Sequence, residues 1–126
     1  MTLERSHVLI AEDSEFMAQR VLEALQSPTY DITHVRSAEE ALEMLETEAV
    51  DCALVNYELS DQTGIELIES APSDIPIILL TSAEIDTIAA EALDAGVTEF
   101  VRKDNLAAGS MPVLANRVDV VIRAAR

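Results

Sequence analysis

Four short apolar runs each lead into residues suited to phosphate or metal chemistry. Residues 7–11 run into Glu12 and Asp13, 77–80 into Thr81, 100–102 into Lys103, and 53–55 into Asn56. Adjacent carboxylates can hold a hard divalent cation such as Mg2+, which takes oxygen ligands and keeps several waters. The hydroxyl of Thr81 and the ammonium of Lys103 suit the oxygens of a phosphoryl group. Lys103 is also the only lysine among eight basic residues. Each of these is an ordinary residue at the start of a loop, but their joint placement reads as a phosphoryl-transfer site. Asn56 is the discordant member, because it stands where a nucleophilic carboxylate would complete the set. A carboxylate oxygen attacks phosphorus and forms an acyl phosphate. The amide nitrogen of Asn56 is delocalised into its carbonyl, and its oxygen carries no full charge.

The elements that must position these residues alternate between short apolar runs and amphipathic segments, the pattern of a parallel sheet with helices on both faces. A strand over 7–11 precedes a helix over 14–26 with Met17, Val21, Ala24 and Leu25 on one face; Ser27 and Pro28 stop it. Residues 30–35 alternate as an edge strand does. Ser37 with Glu40 predicts a capping box opening a helix whose stripe is Ala38, Ala41, Leu42 and Leu45. Residues 52–55 read as a strand buried on both faces. Gly64 falls in a polar turn, and Ile65 and Ile68 begin a short helix ending near Pro72. A fourth strand covers 75–80. Ser82 then caps a helix with Ile85, Ile88, Ala89, Ala92 and Leu93 inward and Gly96 at its end. A fifth strand covers 98–101, and the last helix starts near Ser110 and buries Leu114, Val118, Val121 and Ile122. The expectation is one domain over 1–126, a doubly wound α/β fold with a five-stranded parallel sheet. In such sheets ligands sit beyond the carboxyl ends of the strands, where all these site residues fall.

Composition narrows the partners. Twenty-four acidic against eight basic residues give a net charge of −16, so a phosphate backbone is repelled and direct nucleic-acid binding is not expected. Seven arginines, one lysine and this acidic excess resemble a halophilic protein, whose like charges salt would screen. No run approaches the length of a membrane span, and no basic region followed by an apolar block suggests a secretory signal. Cys52 stands alone in an apolar run and reads as a buried thiol in a reducing compartment, hence a cytoplasmic protein. His7 and His34 read as ordinary strand residues. No glycine-rich phosphate loop, nucleophile elbow or nucleophile–base pair supports an independent enzymatic role.

With these motifs the chain resembles the response-regulator receiver domain. The resemblance runs from residue 8 to about 125 and rests on Glu12–Asp13, the segment from Asp51 through Asn56 to Gly64, Leu79–Leu80–Thr81–Ser82, and Phe100–Val101–Arg102–Lys103. It implies a flavodoxin-like (βα)5 fold and a place in two-component phosphorelay signalling. In that family an aspartate ending the third strand accepts a phosphoryl group from a histidine kinase. Mg2+ is held by the acidic pair, that aspartate and a backbone carbonyl two residues on. Here these are Glu12, Asp13, residue 56 and the Glu58 carbonyl. The resemblance puts the family's hydroxyl and lysine on Thr81 and Lys103, its small position on Ser82, and its switch residues on Thr81 and Phe100.

Three departures matter. Asn56 removes the acceptor and one of three negative charges, so Mg2+ binding should be weakened. Ser60 stands where the family usually has proline, and Asp104 replaces the proline after the lysine. A cis bond before Asp104 would cost roughly 3–4 kcal/mol against about 0.5–1 for a prolyl bond, so that loop is expected to be rearranged. Asn56 reads as a natural substitution in a receiver that signals without phosphorylation, as an Asp→Asn change introduced into an active receiver, or as a sign of phosphorylation elsewhere, at Ser82 or Asp13 for instance. Deamidation of Asn56 is disfavoured by the bulky Tyr57 that follows. The implied partners are a histidine kinase or a downstream signalling protein, and a second copy of the chain. The surface expected to meet them includes Glu91, Asp94, Arg102, Arg117 and Asp119. A small-ligand or cofactor binder on a flavodoxin-like sheet is the alternative class. Against it stand the acidic pocket and the scarcity of aromatics to stack on a flavin.

Overall fold

A computed structural model of the chain describes residues 6–26, 29–72, 74–81, 85–102 and 111–125. The strands are β1 (Ser6–Ala11), β2 (Tyr30–Val35), β3 (Cys52–Asn56), β4 (Ile77–Thr81) and β5 (Glu99–Arg102). Between and after them come the helices α1 (Glu15–Leu25), α2 (Ala38–Thr47), α3 (Gly64–Ser70), α4 (Ile85–Ala95) and α5 (Met111–Ala125). The strands pair in parallel in the order β2-β1-β3-β4-β5. This is the flavodoxin-like arrangement. β2 lies at the edge its alternating sequence predicts.

The core divides by residue parity. Leu9, Ala11, Ala53, Val55, Ile77 and Leu79 pack on one face with Ala41 and Leu45 of α2, Ile65 and Ile68 of α3, and Ala92 of α4. Val8, Ile10, Cys52, Leu54, Ile78 and Leu80 pack on the other with Val21 and Leu25 of α1 and Leu114 and Val118 of α5. The period of two in a strand sends neighbours to opposite faces, so a run buried on both must be apolar throughout. Each fully buried leucine here stabilises the fold by about 1.5–3 kcal/mol relative to exposure.

Several boundaries differ from expectation. Thr81 is the last residue of β4 and not the first of a loop, and the strand begins at Ile77 after Pro76. Pro76 has no N–H, but its carbonyl accepts from Ala53, and Thr98 accepts the Ile77 N–H through its hydroxyl. β5 is displaced by one residue, to Glu99–Arg102. Gly64 is the first residue of α3 and not part of the turn. A capping box does form there, between Thr63 and Glu66. At Ser37 only half of the expected box is present. The hydroxyl accepts the Glu40 N–H, but the Glu40 carboxylate meets that hydroxyl. The carboxylate of Asp61 takes the Ala38 and Glu39 N–H groups. In α4, Ala92 is buried but Leu93 is 64% exposed, because one residue turns about 100° around a helix and carries Leu93 off the sheet-facing side. Gly96 ends that helix with φ +100°, the left-handed conformation glycine allows. Ser82, Lys103, Asp104 and Ser110 lie outside the described residues, as do the side chains of Ile85, Ile88, Ala89, Phe100 and Arg102.

Candidate functional site

The strand order reverses at β1 and β3. β1 passes the chain to β2 on one side, whereas β3 passes it to β4 on the other, and such a switch point opens a crevice at the strands' carboxyl ends. Register fixes what borders it. Ala11 lies opposite Val55, so Glu12 and Asn56 follow side by side. Asn56 lies opposite Leu80, and Thr81 follows. Thr81 in turn lies opposite Arg102, the residue before Lys103. Glu12, Asn56 and Thr81 are three of the few buried polar residues among those described, with Glu12 and Thr81 at 0% exposure and Asn56 at 4%.

The Asn56 side chain ties the pocket together. Its Nδ2 donates to Glu12 Oε1 at 3.1 Å, to Asp13 Oδ1 at 3.4 Å and to the Glu58 carbonyl at 2.6 Å. A carboxamide has two N–H bonds, so two of these acceptors share one hydrogen. The reverse orientation would set the amide oxygen against three oxygen acceptors, so the network itself assigns nitrogen to this position. The expected site residues Glu12, Asp13, Asn56 and Glu58 are therefore brought together. Thr81 stands at the next strand end. For Phe100 only the backbone is described, paired with Leu79.

Neighbouring elements hold this pocket in place. The Glu12 N–H donates to the Val35 carbonyl at 3.1 Å, and Glu12 Oε1 also accepts the Ser14 N–H at 3.1 Å. His34 Nε2 donates to the Glu12 carbonyl at 2.7 Å. Sequence pattern gave no sign of that role, because a histidine on an edge strand is unremarkable until pairing brings it beside Glu12. His7 reaches the Thr33 hydroxyl and the Ala49 carbonyl, so its ring acts as a bridge to β2. On the β3 side, residues 57–63 fold back on themselves. Glu58 and Thr63 form an antiparallel bridge, Leu59 N–H donates to Gln62, and Gly64 N–H donates to Tyr57 at 2.7 Å. A Cβ on Gly64 would stand 2.6 Å from the Asn56 carbonyl oxygen and 2.8 Å from Leu79 Cδ1. Glycine is therefore required by close approach of backbone to backbone.

Two further groups are tuned by their surroundings. The Ala38 N–H above all, with that of Glu39, holds the Asp61 carboxyl below the usual aspartate range. Burial, with the charge of Asp51 adding to it, pushes the Cys52 thiol up to about 12. Cys52 is thus the buried thiol its sequence context suggests.

The oxygens of Glu12, Asp13 and the Glu58 carbonyl converge, but the Asn56 Nδ2 already lies within hydrogen-bond distance of all three. Among the described residues, no group of three or more histidine, cysteine, aspartate or glutamate side chains is arranged to hold a metal. As arranged, the donor set does not fit Mg2+, since the Asn56 amide nitrogen stands where the cation would sit and would have to be displaced.

Comparison with known proteins agrees with the fold. The family model described as the response regulator receiver domain matches residues 8–109. The regulatory protein VirG of Agrobacterium fabrum is 30% identical over 100 residues, which cover 77% of this chain and 40% of that protein. The two-component response regulator ORR5 of Oryza sativa subsp. japonica is 29% identical over 103 residues, covering 77% of each chain. Among solved structures, the Francisella response regulator 1452 receiver domain superposes with a TM-score of 0.85 at 22% identity, covering 97% of this chain and all of that one. A CheY-like receiver domain protein from Methanospirillum hungatei gives 0.81 at 21%, covering 96% of this chain and 99% of that one. The chain belongs to the response regulator receiver domain family of two-component signalling. It spans less than half the length of VirG.

Proposed function

We propose that this chain is a receiver module that passes signals through protein–protein contacts, without a phosphoryl group on residue 56. A single observation carries the reading. The side chain at the acceptor position is a buried amide whose nitrogen donates into the acidic pocket, so no nucleophilic oxygen is presented there. Its partners are a histidine kinase or a downstream signalling protein, with a second copy of the chain as a further candidate. Receiver domains are generally signalling modules and not enzymes.

The surface that would meet a partner is built from α4, β5 and α5. Glu91 and Asp94 are exposed on α4 and bring acidic charge to it. Arg117 is held by Glu99 at 2.6 Å, and Asp119 by Arg123 at 3.0 Å, so both already have partners within the chain. Leu93 and Val120 add exposed apolar area. Without phosphorylation, any shift of this surface must come from a ligand or partner that binds one state better than another. The acidic excess is read as adaptation to a salt-rich cytoplasm. No helix among the described residues is long and apolar enough to cross a membrane.

The test is amide hydrogen exchange and sedimentation of the protein with and without Mg2+ and a small phosphodonor. Exchange across α4, β5 and α5, and the sedimentation coefficient, should stay unchanged. A change that needs the phosphodonor would overturn the reading.

A further inference from the structure

The acidic pocket needs something to hold its oxygens together. Glu12 and Asp13 follow β1, whereas the Glu58 carbonyl belongs to the turn after β3, and all three present negative charge or a carbonyl dipole toward one point. With an aspartate at 56 the pocket would carry three formal negative charges, and a bound divalent cation would leave one. With Asn56 it carries two, and no cation is needed to prevent a third from repelling them.

The Asn56 amide reaches those same three oxygens, at 3.1, 3.4 and 2.6 Å. It does so from a side chain that is 4% exposed, where water competes little for its hydrogens. The Asn56 backbone is also fixed on both sides. It is paired with β4 through Leu80, and Gly64 packs against its carbonyl oxygen. An amide held this way cannot swing out of the pocket without breaking its hydrogen bonds to both loops.

We propose that the Asn56 side-chain amide is this chain's built-in substitute for the divalent cation. Asn56 acts as a positioning residue, joining the loop after β1 to the loop after β3 at any Mg2+ concentration. The pocket is thereby held in one arrangement that responds neither to Mg2+ nor to ligands that need Mg2+ to bind. This rests on reading the pocket as the family's acidic site. It does not depend on whether the chain is phosphorylated, which a mass measurement decides separately.

The experiment is a titration of the full chain with MgCl2 against KCl of matched ionic strength, read in two ways. In the first, the Asn56 side-chain 1H–15N signals are followed. The amide protons should exchange roughly tenfold or more slowly than those of a free asparagine. Their shifts should not move with Mg2+ beyond the KCl control. In the second, melting temperatures are compared for the parent and Asn56→Asp. The parent should show no increment specific to Mg2+, whereas Asn56→Asp should be stabilised by Mg2+ as a ligand that binds only the folded state.

Displacement of the Asn56 signals by Mg2+, or amide exchange at the free rate, would overturn the proposal. So would a Mg2+-specific stabilisation of the parent equal to that of Asn56→Asp. A folded Asn56→Asp that ignores Mg2+ would also overturn it, because the pocket would then have no cation for the amide to replace. If Asn56→Asp does not fold, the signals of the parent decide alone.

Discussion

At the scale of single residues, Asn56 and Gly64 make the tightest contacts around the pocket. Asn56 is legible in the sequence as a side chain without a nucleophilic oxygen, since its chemistry follows from residue type alone. Its role as a donor into the acidic pair is not legible, because Glu12 and Asp13 meet it only after β1 and β3 pair. The same holds for His34, whose ring finds the Glu12 carbonyl only through strand register. Gly64 was readable as a turn signal, but its real constraint is space. A methyl at Gly64 would meet the Asn56 carbonyl oxygen at 2.6 Å, so α3 must move away or β3 must bend. Gly64→Ala is expected to lower stability by about 1–3 kcal/mol, read as a shift in the urea midpoint without a change of slope. A neutral or stabilising effect would mean that α3 has room the structure does not show.

At the scale of elements, strands and helices follow closely from hydrophobic period, because β1, β3 and β4 are buried on both faces and the helices on one. The boundaries moved where side chains from elsewhere intervene. The N-terminus of α2 shows why. Its sequence advertises Ser37 and Glu40, but Asp61, more than twenty residues away, takes the first two N–H groups. No local pattern can announce such a partner. The contact also ties α2 to the turn that carries the Glu58 carbonyl. Asp61→Ala should cost about 0.5–2 kcal/mol at neutral pH, as lost helix caps do. The Asp61 carboxyl is depressed in the folded state, so its contribution is present above the unfolded aspartate value, near ~3.9, and fades as pH falls through the folded value. The stability difference between parent and variant should therefore shrink in acid. A gap that persists with the carboxyl protonated would assign the loss to something other than this charge.

At the scale of the molecule, charge is the dominant feature. A net charge of −16 on 126 residues sets like charges against one another across the surface. Local ion pairs such as Arg36 with Glu15 and Arg123 with Asp119 are exposed and individually worth little. Screening by salt acts on all of the surface at once. The melting temperature is expected to rise markedly between dilute buffer and molar KCl, and a flat response would remove the case for salt adaptation. Acidic excess was plain from composition, and the polar residues that follow the apolar runs were plain from residue order. The central claim is that this is a receiver site silenced at one side chain, and intact mass tests it most directly. The parent and Asn56→Asp are each incubated with Mg2+ and a small phosphodonor. Only Asn56→Asp should gain the mass of a phosphoryl group. A parent chain that gains one as well would place the acceptor elsewhere and contradict the account.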